Sequence, residues 1–535
     1  MPRPDAKTWR QQLEASTVKE VLDEGRSARL QVPGLTILCH PDGRRVGERV
    51  PLPALESGRS VRLSRREPDF AGSGEAPPRP LADPHLSRRP MHLAPGQRKG
   101  VVQLLGDGGQ VECNPAGEPV DGGVEFDAEE VRRGVMLLLA ERVVLLLHHL
   151  PAARPARLPR FGMVGESAPM LALRREIERV SAVDVPVLLR GETGSGKELV
   201  AAAIHRASPR RGQPYVSVNI GAIPPTLAAA ELFGAAKGAF TGAVERRVGY
   251  FARAAGGTLF LDEIGEAPSD VQVLMLRALE TGEIQPVGGS HSRPVDVRIL
   301  AATDADLETA TAEGRFREPL LHRLNGYQIS LPPLRRRRDD IGRLLFHFLR
   351  QELATVGGAG LLEGSDPRRP PWLPASLVAR LAVCRWPGNV RQLRNAARQL
   401  VIAHRDAERI PPGPLVDRLL REAAGGGDEP PELARRPPPR QVYRQPADVG
   451  DEELLAALEE NRWELKAAAA ALGVSRTSLY KLIDRHPLIR TAAELERGEV
   501  AACLERHGGD PAAAAAELRV SQQGLRRRMR ELGLS

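Results

Sequence analysis

The sequence predicts a multidomain protein with an N-terminal β-sandwich, a central α/β domain that carries a helical lid, and an all-α C-terminal region. Short apolar runs separated by Gly, Pro and Asp fill residues 35–150, a texture typical of antiparallel strands joined by turns. Residues 161–350 alternate apolar strands with helical segments, which favours a parallel sheet covered by helices. Near the C-terminus, an internal repeat of Ala-rich helices indicates two small helical units.

Composition and charge narrow the classes of protein without selecting one. The chain has 535 residues, of which 41% are hydrophobic and 4% aromatic, enough for three or four separate cores. Its 76 basic and 68 acidic residues give a net charge of +8, which only mildly favours a polyanionic partner. The longest apolar run, Val135 to Leu150, is interrupted by Glu141 and Arg142 and is too short to span a bilayer. We therefore expect a cytoplasmic protein with no membrane partner.

The cysteine pattern argues against two common uses of this residue. Cys39, Cys113, Cys384 and Cys503 lie far apart and form no C-x-x-C pair. Their spacing signals neither a zinc site nor a disulfide framework. A reducing compartment fits this pattern best.

The predicted sandwich occupies residues 31–150, after an N-terminal helix or extension (1–30) to which we assign no function. The Pro/Arg/Ala-rich segment 151–160 reads as a linker into the next domain.

Two loops of the sandwich carry residues suited to a phosphate. The segments Leu63–Arg66 and Asp83–Arg88 resemble the ligand-facing loops of a forkhead-associated (FHA) domain, a phosphothreonine-binding sandwich. The sequence departs from that family where Ser64 replaces a Gly and Pro90 replaces a His. The resemblance implies phosphopeptide contacts by Arg65, Ser87 and Arg88. An interaction or oligomerisation module without phosphopeptide binding remains the alternative.

A phosphate-binding loop opens the central domain. The apolar strand Val187–Leu189 is followed by Gly191, Gly196 and Lys197 in the spacing G-x-x-x-x-G-K. Glycines let backbone N–H groups turn inward around a polyphosphate, and the lysine can reach the β and γ phosphates. Glu198 stands where a Ser or Thr usually meets magnesium. The predicted nucleotide-binding residues are Gly191, Glu192, Thr193, Gly194, Ser195, Gly196, Lys197 and Glu198.

A pair of carboxylates ends a second buried strand. Asp262 and Glu263 follow the apolar run Thr258–Leu261. An Asp at such a strand end can hold magnesium, and the adjacent Glu can orient the attacking water. We expect ATP and Mg²⁺ as cofactors, with Asp262 and Glu198 as the metal ligands and Glu263 as a catalytic residue.

The segment Glu231–Ala243 contains the sequence GAFTGA. By composition alone it reads as a glycine-rich connector with an exposed Phe. The six residues instead resemble the hallmark of the AAA+ ATPases that activate sigma-54 RNA polymerase, the bacterial enhancer-binding proteins, and the resemblance covers roughly residues 161–403. It implies an AAA+ fold over 161–350 and a sigma-54 contact through Gly238, Ala239, Phe240, Thr241, Gly242 and Ala243.

The same resemblance implies further catalytic residues. Asn219 matches an Asn that restrains the catalytic Glu. Arg317 and Arg323, six residues apart, match arginines that reach the neighbouring subunit's nucleotide in a ring, so we expect a homo-oligomer between a dimer and a hexamer. Pro319 replaces the acidic residue between them, so we expect the local geometry to differ from the family's while both arginines are kept.

Nucleotide sensing is assigned from two further segments. Thr303 and Asp304 occupy the sensor I position, where Asn is usual. The motif WPGNVRQLRN places Arg391 at the sensor II position of a helical lid, residues 351–422. We interpret the run Arg335–Arg338 as a solvated connector, Gly357–Pro371 as a lengthened loop and residues 423–450 as a linker.

Residues 451–487 and 495–535 form the internal repeat, at an offset of 46. The first copy resembles the Fis-type helix-turn-helix of enhancer-binding proteins, with Gly473 in the turn; the second has Arg519 there. In such motifs the last helix enters the DNA major groove. The candidate DNA contacts are Ser475, Arg476, Thr477, Ser478 and Lys481, and Gln522, Gln523, Arg526 and Arg527. The second copy is either another DNA-binding unit or a duplicate used for dimer contacts.

Together these features predict a sigma-54-dependent activator that binds enhancer DNA and hydrolyses ATP between subunits. The FHA-like sandwich is its expected input module, with phosphothreonine proteins as candidate partners. Two alternatives remain: a nucleotide-binding DNA regulator that does not remodel polymerase, and a phosphopeptide-controlled ATPase with another protein target.

Overall fold

The computed structural model describes most of the chain from residue 31 onward. Among these residues, no helix is long and apolar enough to cross a membrane. The helix or extension expected in residues 1–30 and most of the linker expected in 423–450 lie outside the described part. The described residues are 31–72, 76–106, 111–113, 118–119, 122–152, 158–238, 247–362, 370–425, 449–461, 463, 465–474, 476–486, 489, 495–508, 510–520 and 522–534.

Two antiparallel sheets make up the N-terminal domain. One has the order β2-β1-β10-β9-β6-β7 and the other β3-β4-β5-β8. Buried side chains of both, such as Leu35 and Leu145 from the first and Leu93 and Val124 from the second, meet in one core, which is the predicted sandwich. The elements are β1 (Gln31–Cys39), β2 (Arg49–Pro51), α1 (Pro53–Glu56), β3 (Val61–Leu63), β4 (Met91–Pro95), β5 (Val102–Gly106), β6 (Val111–Cys113), β7 (Glu118–Pro119), β8 (Gly122–Phe126), α2 (Ala128–Arg133), β9 (Val135–Leu139) and β10 (Val143–Pro151).

The six-stranded sheet is buried on both faces. Its inner face packs on the four-stranded sheet, whereas Leu38, Met136, Val144 and Leu146 point outward into the core of the helical lid. Strands β9 and β10 therefore lack the alternation of a half-exposed strand and read as continuous apolar runs.

The central domain is built on a five-stranded parallel sheet of order β12-β13-β16-β11-β17. Because the strands are parallel, their carboxyl ends meet at one edge, where ligands bind in open α/β sheets. The elements are α3 (Ala168–Ser181), β11 (Val187–Arg190), α4 (Lys197–Ala207), β12 (Tyr215–Asn219), α5 (Pro225–Phe233), α6 (Tyr250–Arg253), β13 (Thr258–Asp262), α7 (Ser269–Thr281), β14 (Glu283–Ile284), β15 (Arg293–Pro294), β16 (Arg298–Thr303), α8 (Leu307–Ala312), α9 (Glu318–Leu324) and β17 (Tyr327–Ser330).

Helices alone form the rest of the described chain. The lid comprises α10 (Ile341–Thr355), α11 (Ala375–Val383), α12 (Asn389–His404) and α13 (Pro414–Ala424). Two three-helix units follow, each with its own core. They are α14 (Asp451–Glu460), α15 (Leu465–Ala471) and α16 (Arg476–Arg485), then α17 (Arg497–Arg506), α18 (Pro511–Glu517) and α19 (Gln522–Glu531).

The turn before the last helix has the same backbone in both units. Gly473 has φ of 65° and Arg519, at the equivalent position, has φ of 52°. This left-handed conformation suits glycine and strains a residue with a Cβ. The second unit therefore keeps the turn geometry without the residue that favours it.

Candidate functional site

The phosphate loop connects β11 to α4, as the sequence predicts. Gly194 and Gly196 have φ of 74° and 107°, and a Cβ at Gly194 would lie 2.3 Å from the carbonyl oxygen of Gly388 in the lid. Lys197 begins α4 and donates to the carbonyl oxygen of Gly191 at 2.7 Å. The hydroxyl of Ser195 is buried and has no hydrogen-bond partner among the residues that the structure describes. The loop thus presents a lysine and an unpaired polar atom beside the space that it encloses.

Asp262 and Glu263 lie on the neighbouring strand at the same edge of the sheet. Asp262 ends β13, accepts a hydrogen bond from the Glu263 backbone N–H at 3.0 Å, and is half-buried. Burial raises the pKa of the Asp262 carboxyl, with nearby Glu263 and Glu198 adding to the rise and Lys197 opposing it. Asp262 thus interacts with Lys197 and with two further carboxylates, and carboxylate oxygens are hard donors that fit Mg²⁺.

The backbone at Glu263 is strained, with φ of 54°. Non-glycine residues held in this region cost of order 1–3 kcal/mol each and cluster at active sites. The Glu263 carboxylate lies so close to Gly221 that a Cβ there would be 2.4 Å from its Oε2 and 3.4 Å from Oδ1 of Asn219. Asn219 ends β12, pairs in register with Asp262, and accepts from the Ala222 N–H at 3.1 Å. The structure therefore places Asn219 beside the predicted catalytic Glu.

Thr303 ends β16, which lies between β13 and β11 in the sheet, and Asp304 follows it. Thr303 is buried, and its carbonyl oxygen accepts from the Gly191 N–H at 3.2 Å. Asp304 accepts a hydrogen bond from the hydroxyl of Thr193 in the phosphate loop. Although Asp replaces the usual Asn at this position, its side chain reaches the loop.

The lid contacts the phosphate loop through the start of α12. Val390 donates its backbone N–H to Gly194 at 3.0 Å, and a Cβ at Gly194 would lie 3.0 Å from Cβ of Arg391. Arg391 itself is exposed next to the loop. The predicted sensor II residue is therefore adjacent to the loop.

Asn389 is a site residue to which the motif analysis assigned no role. It is fully buried with φ of 50°. Its Nδ2 donates to Oε2 of Glu192 and to the carbonyl oxygen of Thr193, both at 3.1 Å, while its Oδ1 accepts from the Leu334 N–H at 2.8 Å. The Asn389 side chain thus links the phosphate loop to the lid helix α12 and to Leu334, in the segment that connects the core to the lid. Its position inside the WPGNVR motif was the available signal.

The interpretation of Arg335–Arg338 as a solvated connector is wrong for Arg337 and incomplete for Arg335. Arg337 is 3% exposed and lies near the carbonyl oxygen of Ser195 at 3.3 Å. Arg335 donates to Glu192 at 2.7 Å, and this hydrogen bond lowers the pKa of the Glu192 carboxyl. A run of four arginines did not reveal that two of them support the loop.

A pocket opens beside the phosphate loop. It is mainly apolar and is shared by the core and the lid, so its shape depends on the angle between them. Its lining includes Gly162, Met163, Leu199, Arg337, His347 and Val390. A planar base attached to a polyphosphate in the loop fits such a site.

Arg317 directly precedes α9 and Arg323 lies in its last turn, and both are exposed. The Arg317 backbone N–H is held by Oε1 of Gln272 at 2.9 Å, and Arg323 lies 3.5 Å from Glu280. Pro319 occupies the first turn of α9, where no N–H is needed within the helix. The proline thus leaves the helix intact and both arginines at the surface.

The predicted sigma-54 contact largely falls outside the described residues. Ala239, Phe240, Thr241, Gly242 and Ala243 are not described, whereas Gly238 is exposed with φ of 78°.

The two sandwich loops proposed from the sequence to bind a phosphate, Leu63–Arg66 and Asp83–Arg88, lie side by side. The Arg65 N–H donates to the Ser87 carbonyl oxygen at 3.3 Å, and its guanidinium to the Pro84 carbonyl oxygen at 3.4 Å. Ser87 and Arg88 are exposed. The structure therefore brings together two segments about twenty residues apart.

In the C-terminal units, the last helices carry the predicted DNA contacts. Leu479 is buried and Leu482 packs on the same core, whereas Lys481 is exposed. Arg526 and Arg527 are exposed, and Arg527 lies 3.0 Å from Glu531. Ser478 is half-buried. Ser475 and the side chains of Arg476, Thr477, Gln522 and Gln523 lie outside the described residues.

Three family models match the sequence. They are a sigma-54 interaction domain over residues 163–330, an AAA+ ATPase lid domain over 335–430, and a bacterial regulatory protein of the Fis family over both 445–486 and 491–532. The Fis model thus covers both copies of the internal repeat, including the one without the turn glycine.

Characterised relatives match the same region. The C4-dicarboxylate transport transcriptional regulatory protein DctD of Rhizobium meliloti is 39% identical over 349 residues, which cover 65% of this chain and 69% of the relative. The DNA-binding transcriptional regulator NtrC of Salmonella typhimurium is 45% identical over 281 residues, 52% of this chain and 56% of that protein. The crystal structure of NtrX from Brucella abortus in complex with ADP is 30% identical over 70% of each chain, with a TM-score of 0.41. The chain therefore belongs to the family of sigma-54-dependent transcriptional regulators, and its central part is the AAA+ ATPase of that family.

Proposed function

We propose that this protein hydrolyses ATP between the subunits of a ring and uses the cycle to remodel sigma-54 RNA polymerase from enhancer DNA. The observation that carries this proposal is the exposure of two arginines, Arg317 and Arg323, at the surface of the subunit. Lys197, Asp262 and Glu263 meet at one edge of the sheet, whereas Arg323 pairs with Glu280 at the surface. A neighbouring subunit that presents the exposed Arg317 and Arg323 would complete the site. These partners would place the activity in the bacterial cytoplasm.

Each residue has a separate role in this proposal. Lys197 leaves the Gly191 carbonyl oxygen to bind the β and γ phosphates, and Glu263 orients and polarises the attacking water. Asn219 holds Glu263 until the site closes. Mg²⁺, held by Asp262 with Glu198 nearby, would neutralise charge on the β and γ phosphates. Arg317 and Arg323 of the neighbouring subunit stabilise the charge on the transferring phosphoryl group.

Mixing of two inactive variants tests the shared site. Lys197→Ala and the double variant Arg317→Ala/Arg323→Ala should each lack ATPase activity alone. In random rings made from equal amounts, about a quarter of the interfaces combine an intact lysine with intact arginines. Recovery of ATPase activity supports the proposal, and a mixture as inactive as its components contradicts it.

The N-terminal sandwich is proposed to be an FHA-like regulatory domain that binds phosphothreonine proteins through Arg65, Ser87 and Arg88. The adjacent loops support this, because Arg and Ser donors suit a phosphate. Titration of the full chain with phosphothreonine peptides should show binding that Arg65→Ala weakens and that the exposed control Arg59→Ala leaves unchanged. Equal binding of unphosphorylated peptide would contradict the proposal.

We propose that the sandwich regulates the ATPase through the joint between core and lid. Arg49 donates to the Glu166 carbonyl oxygen of the core at 2.7 Å and to Asp339 of the joint at 3.0 Å. Arg343 of the lid donates to Gly47 of the sandwich at 2.8 Å. Contact with the sandwich therefore restrains the angle between core and lid, which shapes the pocket beside the phosphate loop. Arg49→Ala should change the ATPase rate of the full chain. An unchanged rate would contradict this coupling.

The helix-turn-helix units are proposed to bind DNA in tandem. Residues of α16 provide base and phosphate contacts in the first unit, and Arg526 and Arg527 provide phosphate contacts in the second. Each neutralised phosphate adds about 0.9 to the slope of log affinity against log salt concentration. The double variant Arg526→Ala/Arg527→Ala should therefore lower that slope by about 2. An unchanged slope would assign the second unit to dimer contacts.

A further inference from the structure

The second C-terminal unit gathers three side chains with metal-ligating atoms. Cys503 lies in the last turn of α17, His507 follows four residues later, and Glu517 ends α18. A thiol sulfur, a ring nitrogen and a carboxylate oxygen from these residues lie within 4.8 Å of one another. The C-x-x-x-H spacing places its two members on one helix face, so the two helices together present three ligands.

The first unit shows that the fold does not require these residues. At the offset of 46, their equivalents are Ala457, Asn461 and Ala471. The backbone is nevertheless the same: the N–H of His507 donates to Cys503 at 3.2 Å, and that of Asn461 to Ala457 at 3.3 Å. The sulfur, nitrogen and carboxylate set is therefore specific to the second unit.

The surroundings of the set suit a bound ion. Cys503 is fully buried, His507 is half-buried and Glu517 is exposed, so the ligands run from the core to the surface and leave one side open for water. Arg506 donates to Oε1 of Glu517 at 2.6 Å, while Oε2 faces Nε2 of His507. An outer partner that orients a ligating carboxylate in this way is common in metal sites.

We propose that Cys503, His507 and Glu517 bind a divalent transition-metal ion of the zinc class. Thiolate, imidazole and carboxylate together favour such an ion over Mg²⁺ or Ca²⁺. On binding, Cys503 releases its thiol proton to solvent, and water fills the fourth position. The ion links α17 to α18. The core between these helices contains Cys503 and also Leu525 of α19. Metal binding thereby stabilises the unit that carries the strained Arg519 turn.

Cobalt(II) is the probe for this site, since it reports a thiolate ligand by a charge-transfer band in the near ultraviolet. The full chain should bind one equivalent with this band and lose it on addition of Zn²⁺. His507→Asn and Glu517→Ala, which copy the residues of the first unit, should each weaken binding by at least about 100-fold, because loss of even an outer-shell partner costs roughly 10- to 100-fold.

Variants at two cysteines show whether the charge-transfer band comes from Cys503. Cys503→Ala should abolish the band, whereas Cys384→Ala, at another buried cysteine, should preserve it. Thermal unfolding of the variants without metal shows that they fold. A wild-type chain without the band, or a band unchanged in His507→Asn, would overturn the proposal and leave the cluster as an ion-pair network.

Discussion

Substitution of Gly342 by alanine tests the packing of the sandwich on the lid. Gly342 is the second residue of α10 and is buried. A methyl group there would lie 2.2 Å from the carbonyl oxygen of Leu38 in β1 and 2.8 Å from its Cα. Both are backbone atoms, so they cannot swing aside as a flexible side chain could. The helix or the sheet would have to move.

Two opposing terms set the expected size of this effect. Replacing Gly by Ala inside an unobstructed helix stabilises it by about 1 kcal/mol. Overpacking a well-packed core costs about 1–3 kcal/mol. The free energy of unfolding should therefore fall, by up to about 2 kcal/mol.

Calorimetry of the full chain measures this change in the transition that contains the sandwich and the lid. A loss of 1 kcal/mol lowers Tm by about 2–4 °C in a unit of this size. Gly360→Ala is the matched control, because a Cβ at Gly360 would meet no atom of the described residues within 4 Å apart from its chain neighbours; its effect should stay within about 0.5 kcal/mol. A higher Tm for Gly342→Ala would refute the close contact between lid and sandwich.

Three further predictions concern other parts of the molecule. Arg519→Gly should raise the stability of the second helix-turn-helix unit by about 1 kcal/mol, because glycine adopts the left-handed conformation of the turn without strain. Gly473→Arg should lower the stability of the first unit for the same reason. Thermal unfolding that shows no gain for Arg519→Gly would contradict the inference that Arg519 is strained. Burial, and after it the nearby Arg49, lowers the pKa of His148 to about 3. The unfolded state therefore binds more protons than the folded state, and the free energy of unfolding should fall as the pH drops from 6.5 towards 3, by no more than about 1.4 kcal/mol per pH unit. His148→Gln should flatten this dependence on pH, and an unaltered profile would rule out His148 as its source. Asn389→Ala should weaken ATP binding about tenfold through loss of the hydrogen bonds that hold the phosphate loop, and unchanged affinity would contradict that role.

The central site was largely predictable because its chemistry lies in short motifs. The phosphate loop, Asp262 and Glu263 each follow an apolar strand, and parallel strands bring their ends to one edge. Asn389 and Arg337 were missed for a physical reason. Each contacts a residue more than 140 positions away in sequence. The WPGNVR motif marks Asn389, but no local pattern names its partners in the phosphate loop.

The packing of the sandwich on the lid had a signal that the sequence interpretation did not use. The runs Val135–Leu139 and Val143–Leu147 are apolar without alternation, which is expected of strands buried on both faces. Which element covers the second face could not be read from them, since Gly342 and Leu38 are some 300 residues apart. Similarly, four scattered cysteines gave no zinc spacing, and only the fold brings Glu517 to Cys503 and His507.

Open-complex formation by sigma-54 RNA polymerase is the measurement that tests the proposed function most directly. The full chain should support it only with hydrolysable ATP, and Lys197→Ala should abolish both hydrolysis and open complexes. Thr241→Ala should keep ATPase activity while losing open complexes, because this residue is proposed to contact sigma-54 and not the nucleotide. Open complexes formed at the wild-type rate by Thr241→Ala or by Lys197→Ala would contradict the account.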